Sequence, residues 1–94
     1  MLWIALWSSE AASERDTKLS RNEQIDLKAW LDVLCEEVDE FSYIEEFFNF
    51  QLSDLGSDIA YFRPNVFLER RYFSVGLVVH PTSKKIIVTD IGVV

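Results

Sequence analysis

The chain has one cysteine, Cys35, so no disulfide can close within it, and its cysteine usage gives no sign of an oxidising compartment. One cysteine and one histidine also leave no Cys/His set for a zinc site. Glycine is scarce and scattered singly at positions 56, 76 and 92, which excludes a Gly-rich phosphate loop and, with it, a motif for nucleotide binding. Basic residues are missing from the start: none precedes Arg15, and the apolar opening "MLWIALW" is seven residues long. A secretory leader has a basic region before an apolar stretch of about 7–15 residues, and a membrane span needs about 20. The expectation is a cytoplasmic protein with no membrane partner.

The largest gap is in positive charge. Between Ala29 and Phe62 there are nine carboxylates (Asp32, Glu36, Glu37, Asp39, Glu40, Glu45, Glu46, Asp54 and Asp58) and no Lys or Arg. The other 60 residues hold seven acids and nine bases, so the net charge of −7 is entirely the work of this stretch. Nucleic-acid binding needs clustered Lys and Arg to neutralise phosphates, and anionic lipid needs the same. Both are disfavoured here, whereas a basic protein partner fits.

What is present belongs to a globular chain. Of its 94 residues 49% are hydrophobic and 14% aromatic, which places it outside the disordered class. The length fits a single domain over residues 1–94, with 1–19 as a loosely ordered arm. "LWIALW", residues 2–7, reads as a short strand or part of that arm, and 9–19 as a weak helix or linker with little apolar periodicity. Ser20 and Glu23 have capping-box spacing, and Leu27, Trp30, Leu31, Leu34, Val38 and Phe41 follow at steps of three and four, the stripe of an amphipathic helix. A second Ser-x-x-Glu at Ser42–Glu45 predicts a break and a further helix to about Leu52. "SDLGSD" at 53–58 is turn chemistry. Beyond it "IAYF", "VFLERRYFSVGLVVH" and "IIVTDIGVV" carry the β-branched and aromatic signature of strands, with Gly76 marking a bulge or bend and "PTSKK" a hairpin loop. Helices first and strands later predict an α+β fold: N-terminal helices packed on one face of a small C-terminal antiparallel sheet of about three or four strands.

The segment from Asp32 to Asp54 is both acidic and aromatic, because helical geometry separates in space what is interleaved in sequence. One helical face cannot hide Phe47, Phe48 and Phe50 together, so at least one of them faces the surface or a partner. Carboxylates around an aromatic anchor suit docking to a basic protein. The expected partner-binding residues are Asp32, Glu36, Glu37, Glu40, Glu45, Glu46, Phe47, Phe48 and Phe50.

Candidates for chemistry are few. Cys35 sits beside the apolar stripe among acids that raise a thiol pKa, which makes it packing rather than nucleophile. His80 and Asp90 would form a dyad only if hairpin register brought them together. Glu36 and Glu40 would hold a hard cation only weakly. Asp58 with Glu69, Arg70 and Arg71 loosely echoes a nuclease pattern but lacks its Lys. No catalytic set, metal site or cofactor is expected, and no motif is specific enough to carry a family resemblance. The expected function is therefore a small acidic protein-binding module, a stoichiometric inhibitor or neutraliser of the immunity-protein type. Two alternatives remain: a nucleic-acid-directed protein using Arg70, Arg71, His80 and Asp90, and a structural homodimer joined through the Phe cluster.

Overall fold

The computed structural model describes residues 3–37 and 59–94. In chain order the described elements are β1 (Ile4–Trp7), α1 (Ser9–Lys18), α2 (Arg21–Glu37), β2 (Ala60–Phe62), β3 (Asn65–Leu68), β4 (Arg71–His80) and β5 (Lys85–Val93). The α+β class and the order of helices and strands are as the sequence implies. The sheet differs in detail: it has five strands and is mixed. Strand order is β1-β5-β4-β2, with β3 also on β4, and β1 runs parallel to β5 through Ile4↔Lys85, Ala5↔Ile86, Leu6↔Ile87 and Trp7↔Val88. The N-terminal segment is thus a strand of the sheet and not an arm.

The expected single strand over "VFLERRYFSVGLVVH" is a hairpin. β3 and β4 pair antiparallel, Leu68 against Arg71, around a two-residue turn at Glu69 and Arg70. Neither residue advertises a turn, and Glu69 takes a positive φ of 56° that glycine or asparagine would adopt more readily. β2 pairs with the C-terminal half of β4 and β3 with its N-terminal half, so Arg63-Pro64 interrupts that edge. β4 and β5 form the expected hairpin around residues 81–84.

Gly76 does mark a bulge. It pairs with Asp90 while Leu77 pairs with Val88, which leaves Thr89 as the extra residue. The bulge has a packing consequence. A regular strand would set Val88 and Ile91 on opposite faces, whereas the extra residue lets Ile86, Val88 and Ile91 all enter the core. They meet Phe73, Val75, Leu77 and Val79 of β4, Val66 and Leu68 of β3, and Leu27, Leu31 and Leu34 of α2. Among the described residues the hydrophobic core lies on this face of the sheet, and α1 and α2 lie over it.

α1 is ordered without an apolar stripe because its anchors are polar. β1 pairs with β5 only as far as Val88, and beyond that point α1 supplies partners for the strand. The Ser8 hydroxyl accepts from Ala11 N as the helix N-cap (3.0 Å) and donates to Thr89 O (2.8 Å). Ile91 N donates to Glu14 Oε1 (3.2 Å), and Lys18 Nζ donates to Ile91 O (3.1 Å). A sequence scan for hydrophobic periodicity cannot detect such a helix.

On the opposite face of the sheet, an alanine methyl at Gly76 would run into Asp90 Oδ1, Thr89 Oγ1 and the Tyr61 hydroxyl. Asp90 cannot easily yield, because Arg63 holds both its oxygens. Gly76→Ala is expected to lower unfolding free energy by about 1–3 kcal/mol in urea titration. In an Asp90→Ala background the same change should cost less, a non-additivity that a double-mutant cycle measures directly.

Candidate functional site

Of the expected binding residues, Asp32 and Glu36 have described side chains, and both are exposed on α2. Glu37 ends that helix and only its backbone is described. Glu40, Glu45, Glu46, Phe47, Phe48 and Phe50 lie outside the described residues, as do the second capping box and the "SDLGSD" turn. Asp32 and Glu36 stand one turn apart, and with Trp3, Ile4, Ala5 and Cys35 they line a cleft of about 350 Å³ between α2 and β1. The apolar groups that β1 sets beside the carboxylates are therefore Ile4, 49% exposed, with Trp3 and Ala5. Sequence reasoning missed them because their proximity depends on β1 joining the sheet.

Whether the acids are already neutralised from within decides what this surface can do. Lys28 Nζ lies 2.8 Å from Asp32 Oδ2, one turn earlier on the same helix. Both partners are well exposed, so the pair contributes little and salt screens it. Arg63 and Arg71 are engaged elsewhere. Arg63 grips Asp90 through two bonds, Nη1 to Oδ2 at 2.5 Å and Nη2 to Oδ1 at 2.9 Å, with the Tyr61 hydroxyl beside it. That pair lies on the sheet face away from α1 and α2 and holds Asp90 below its ordinary pKa, chiefly through the Arg63 hydrogen bonds and against the effect of burial.

Arg71 turns toward the helices. Its Nε donates to Glu23 Oε2 (3.0 Å), and its Nη2 donates to Glu23 Oε1 (2.7 Å) and Lys18 O (3.3 Å). The Ser20–Glu23 capping box forms as the sequence implies: Ser20 N donates to Glu23 Oε1 (2.8 Å), and Glu23 N donates to Ser20 Oγ (3.2 Å). The sequence did not show that Arg71, 48 positions away, completes the arrangement and permits Glu23 to be buried. Three bonds to one carboxylate join the start of α2 to the first residue of β4, and the Arg71 bond to Lys18 O adds the end of α1.

The remaining candidates fall apart in space. Register sets His80 opposite Lys85 and Asp90 opposite Gly76, so the two do not form a dyad. Arg71 serves the helical side while Asp90 serves the opposite face. Cys35 is half-buried against the core, and its thiol pKa is raised first by burial and then by Asp32. Among the described residues no group of three His, Cys, Asp or Glu is placed to hold a metal ion, and no helix is long and apolar enough to cross a membrane. No protein-family model matches the chain, and neither the curated proteins nor the solved structures yield a match.

Glu23 gives this arrangement a pH signature. The Arg71 hydrogen bonds lower its pKa from 4.5 to about 2, with burial opposing and the Ser20 backbone N–H assisting. A depressed folded-state pKa means the stabilisation is complete above the unfolded value and is lost as pH falls through 4.5 toward 2. Glu23→Gln is expected to remove on the order of 1–2 kcal/mol of that pH-dependent stability, allowing for solvent screening at the half-exposed Arg71. Chemical denaturation at neutral pH and near pH 2.5 checks this, the variant showing the flatter profile.

Proposed function

We propose that this chain is a protein-binding module that docks a basic protein partner through its acidic helical surface and acts as a stoichiometric inhibitor or neutraliser. One observation carries the reading. The acidic stretch holds nine carboxylates without a base, and Arg63 and Arg71, two of the three arginines that follow it in sequence, are bound to Asp90 and Glu23 instead. Within the described part, only the solvent-screened Lys28 pair touches the stretch. Excess negative potential speeds encounter with a positive surface, and occluding an enzyme surface requires no chemistry of the inhibitor's own.

A second reading has its own observation. Leu6, Ile87, Val78 and Tyr61 form a row across all four strands of the main sheet path on the face away from the helices. Leu6 and Tyr61 are exposed, and no described element covers the row. An apolar sheet face of this kind suits a homodimer. The nucleic-acid alternative gains no such support, since its four residues are dispersed.

Asp32→Lys with Glu36→Lys reverses the described part of the acidic surface without touching the core. For a basic partner captured from the source cells, binding by the natural chain should weaken as salt rises, and the variant should bind at least about tenfold more weakly. Undiminished binding by the variant rejects the acidic-surface reading. Sedimentation across concentration separates the second reading: a monomer at high micromolar concentration removes the homodimer.

A further inference from the structure

We infer that the outer edge of β1 accepts an added strand from the basic partner, an extended segment in which Lys or Arg alternates with β-branched residues. The inference takes the sign of the partner's charge from the proposed function and the docking mode from the sheet. In the parallel ladder, Ile4 N donates to Lys84 O (3.1 Å) and Ser8 N to Val88 O (2.9 Å). The alternation of such a ladder sends the N–H and C=O groups of Ala5 and Trp7 the other way, toward the outside of the sheet. No described strand pairs with that edge.

The two edges of the sheet contrast. Exposed edges are templates for strand addition, and proteins blunt them with charges, prolines or breaks. The far edge is blunted: β2 and β3 are short and Arg63-Pro64 separates them. β1, "IALW", has no charge, no proline and no bulge. It is the edge left competent to pair.

The surroundings define the side chains of the added strand. Residues facing the helical side would enter the cleft of Trp3, Ala5 and Cys35, where Asp32 and Glu36 accept from Lys or Arg. Those facing the other side would lie beside Ile4, 49% exposed, and Leu6, 41% exposed, which β-branched side chains cover well. Backbone pairing supplies affinity and the alternating side chains supply selectivity. A second copy of this chain matches less well, because its own β1 brings no cation and the pairing joins two chains of net charge −7.

The test titrates the full chain with a short capped peptide alternating Lys and Val. Binding is read by calorimetry and by the shifts and exchange of the backbone amides. The Lys/Val peptide should bind and protect the Ala5 and Trp7 amides, and the same peptide N-methylated along one edge should bind about tenfold more weakly or not at all. Ala5→Pro, which removes an N–H not used by β5, should also abolish binding, and the N-methylated peptide gives the same information without altering the protein. Binding untouched by either backbone block, but lost in Asp32→Lys with Glu36→Lys, overturns strand addition and leaves the acidic-surface reading standing. A Glu/Val peptide that binds as well as Lys/Val overturns the basic partner itself. Failure of the Lys/Val peptide to bind at all overturns the inference.

Discussion

Parallel pairing between Ile4–Trp7 and the first half of β5 joins the two ends of the chain, and the rest of the fold is arranged around that ladder. It is a long-range closure, with Ser8 and Thr89 bonded across 81 positions. Closure entropy rises only slowly with loop length, so the ladder and the apolar face it completes need to offset only a modest further cost. Once β1 is in place, α1 must start beside Thr89, because Ser8 is at once the strand's last anchor and the helix N-cap. The bulge at Thr89 then serves two requirements. It presents a carbonyl to Ser8, and it shifts the register so that Ile91 joins Val88 in the core.

Charge is allocated as strictly as apolar area. Glu14 and Lys18 satisfy the β5 backbone where β1 no longer reaches it. Arg71 makes a buried Glu23 tolerable, since a carboxylate out of water needs a partner and filled hydrogen-bonding positions. Arg63 ties β5 to the strand break opposite by holding Asp90. Each of these cations meets an acid from outside the Ala29–Phe62 stretch. Of the stretch's described acids, Asp32 meets Lys28 at the surface, whereas Lys18, Arg63 and Arg71 have structural work elsewhere in the fold.

This explains which parts of the molecule could be read from the sequence. Local signals were reliable. The Ser20–Glu23 cap, the Leu27–Leu34 stripe, the β4–β5 hairpin and the irregularity at Gly76 each rest on residues close together in the chain. What escaped depends on distant pairing. β1 is a strand because β5 receives it, α1 is a helix because β5 needs polar partners, and the turn at Glu69-Arg70 lacks the usual residues because β3 and β4 enforce it. The Val88–Ile91 spacing was the one overlooked clue, since two core residues three apart in a strand require a bulge. For the candidate site, Asp32 and Glu36 were legible as exposed acids, whereas their neighbour Ile4 was not, because the cleft has walls from both ends of the described N-terminal half.

Two opposing tendencies bear on the partner proposed above. The uncovered row of Leu6, Ile87, Val78 and Tyr61 and the unblunted edge of β1 both favour association with any extended apolar segment, a copy of the chain included. Net negative charge opposes association with a like-charged body and assists it with an opposite one, at a range set by the screening length. Under the proposed function, a second copy would gain the apolar and backbone terms but meet repulsion, whereas a basic chain would gain all three. Discrimination of this kind needs no dedicated recognition motif. Under the proposed function it is helped by cations near the acidic stretch being committed elsewhere, as Arg63 is to Asp90 and Arg71 to Glu23.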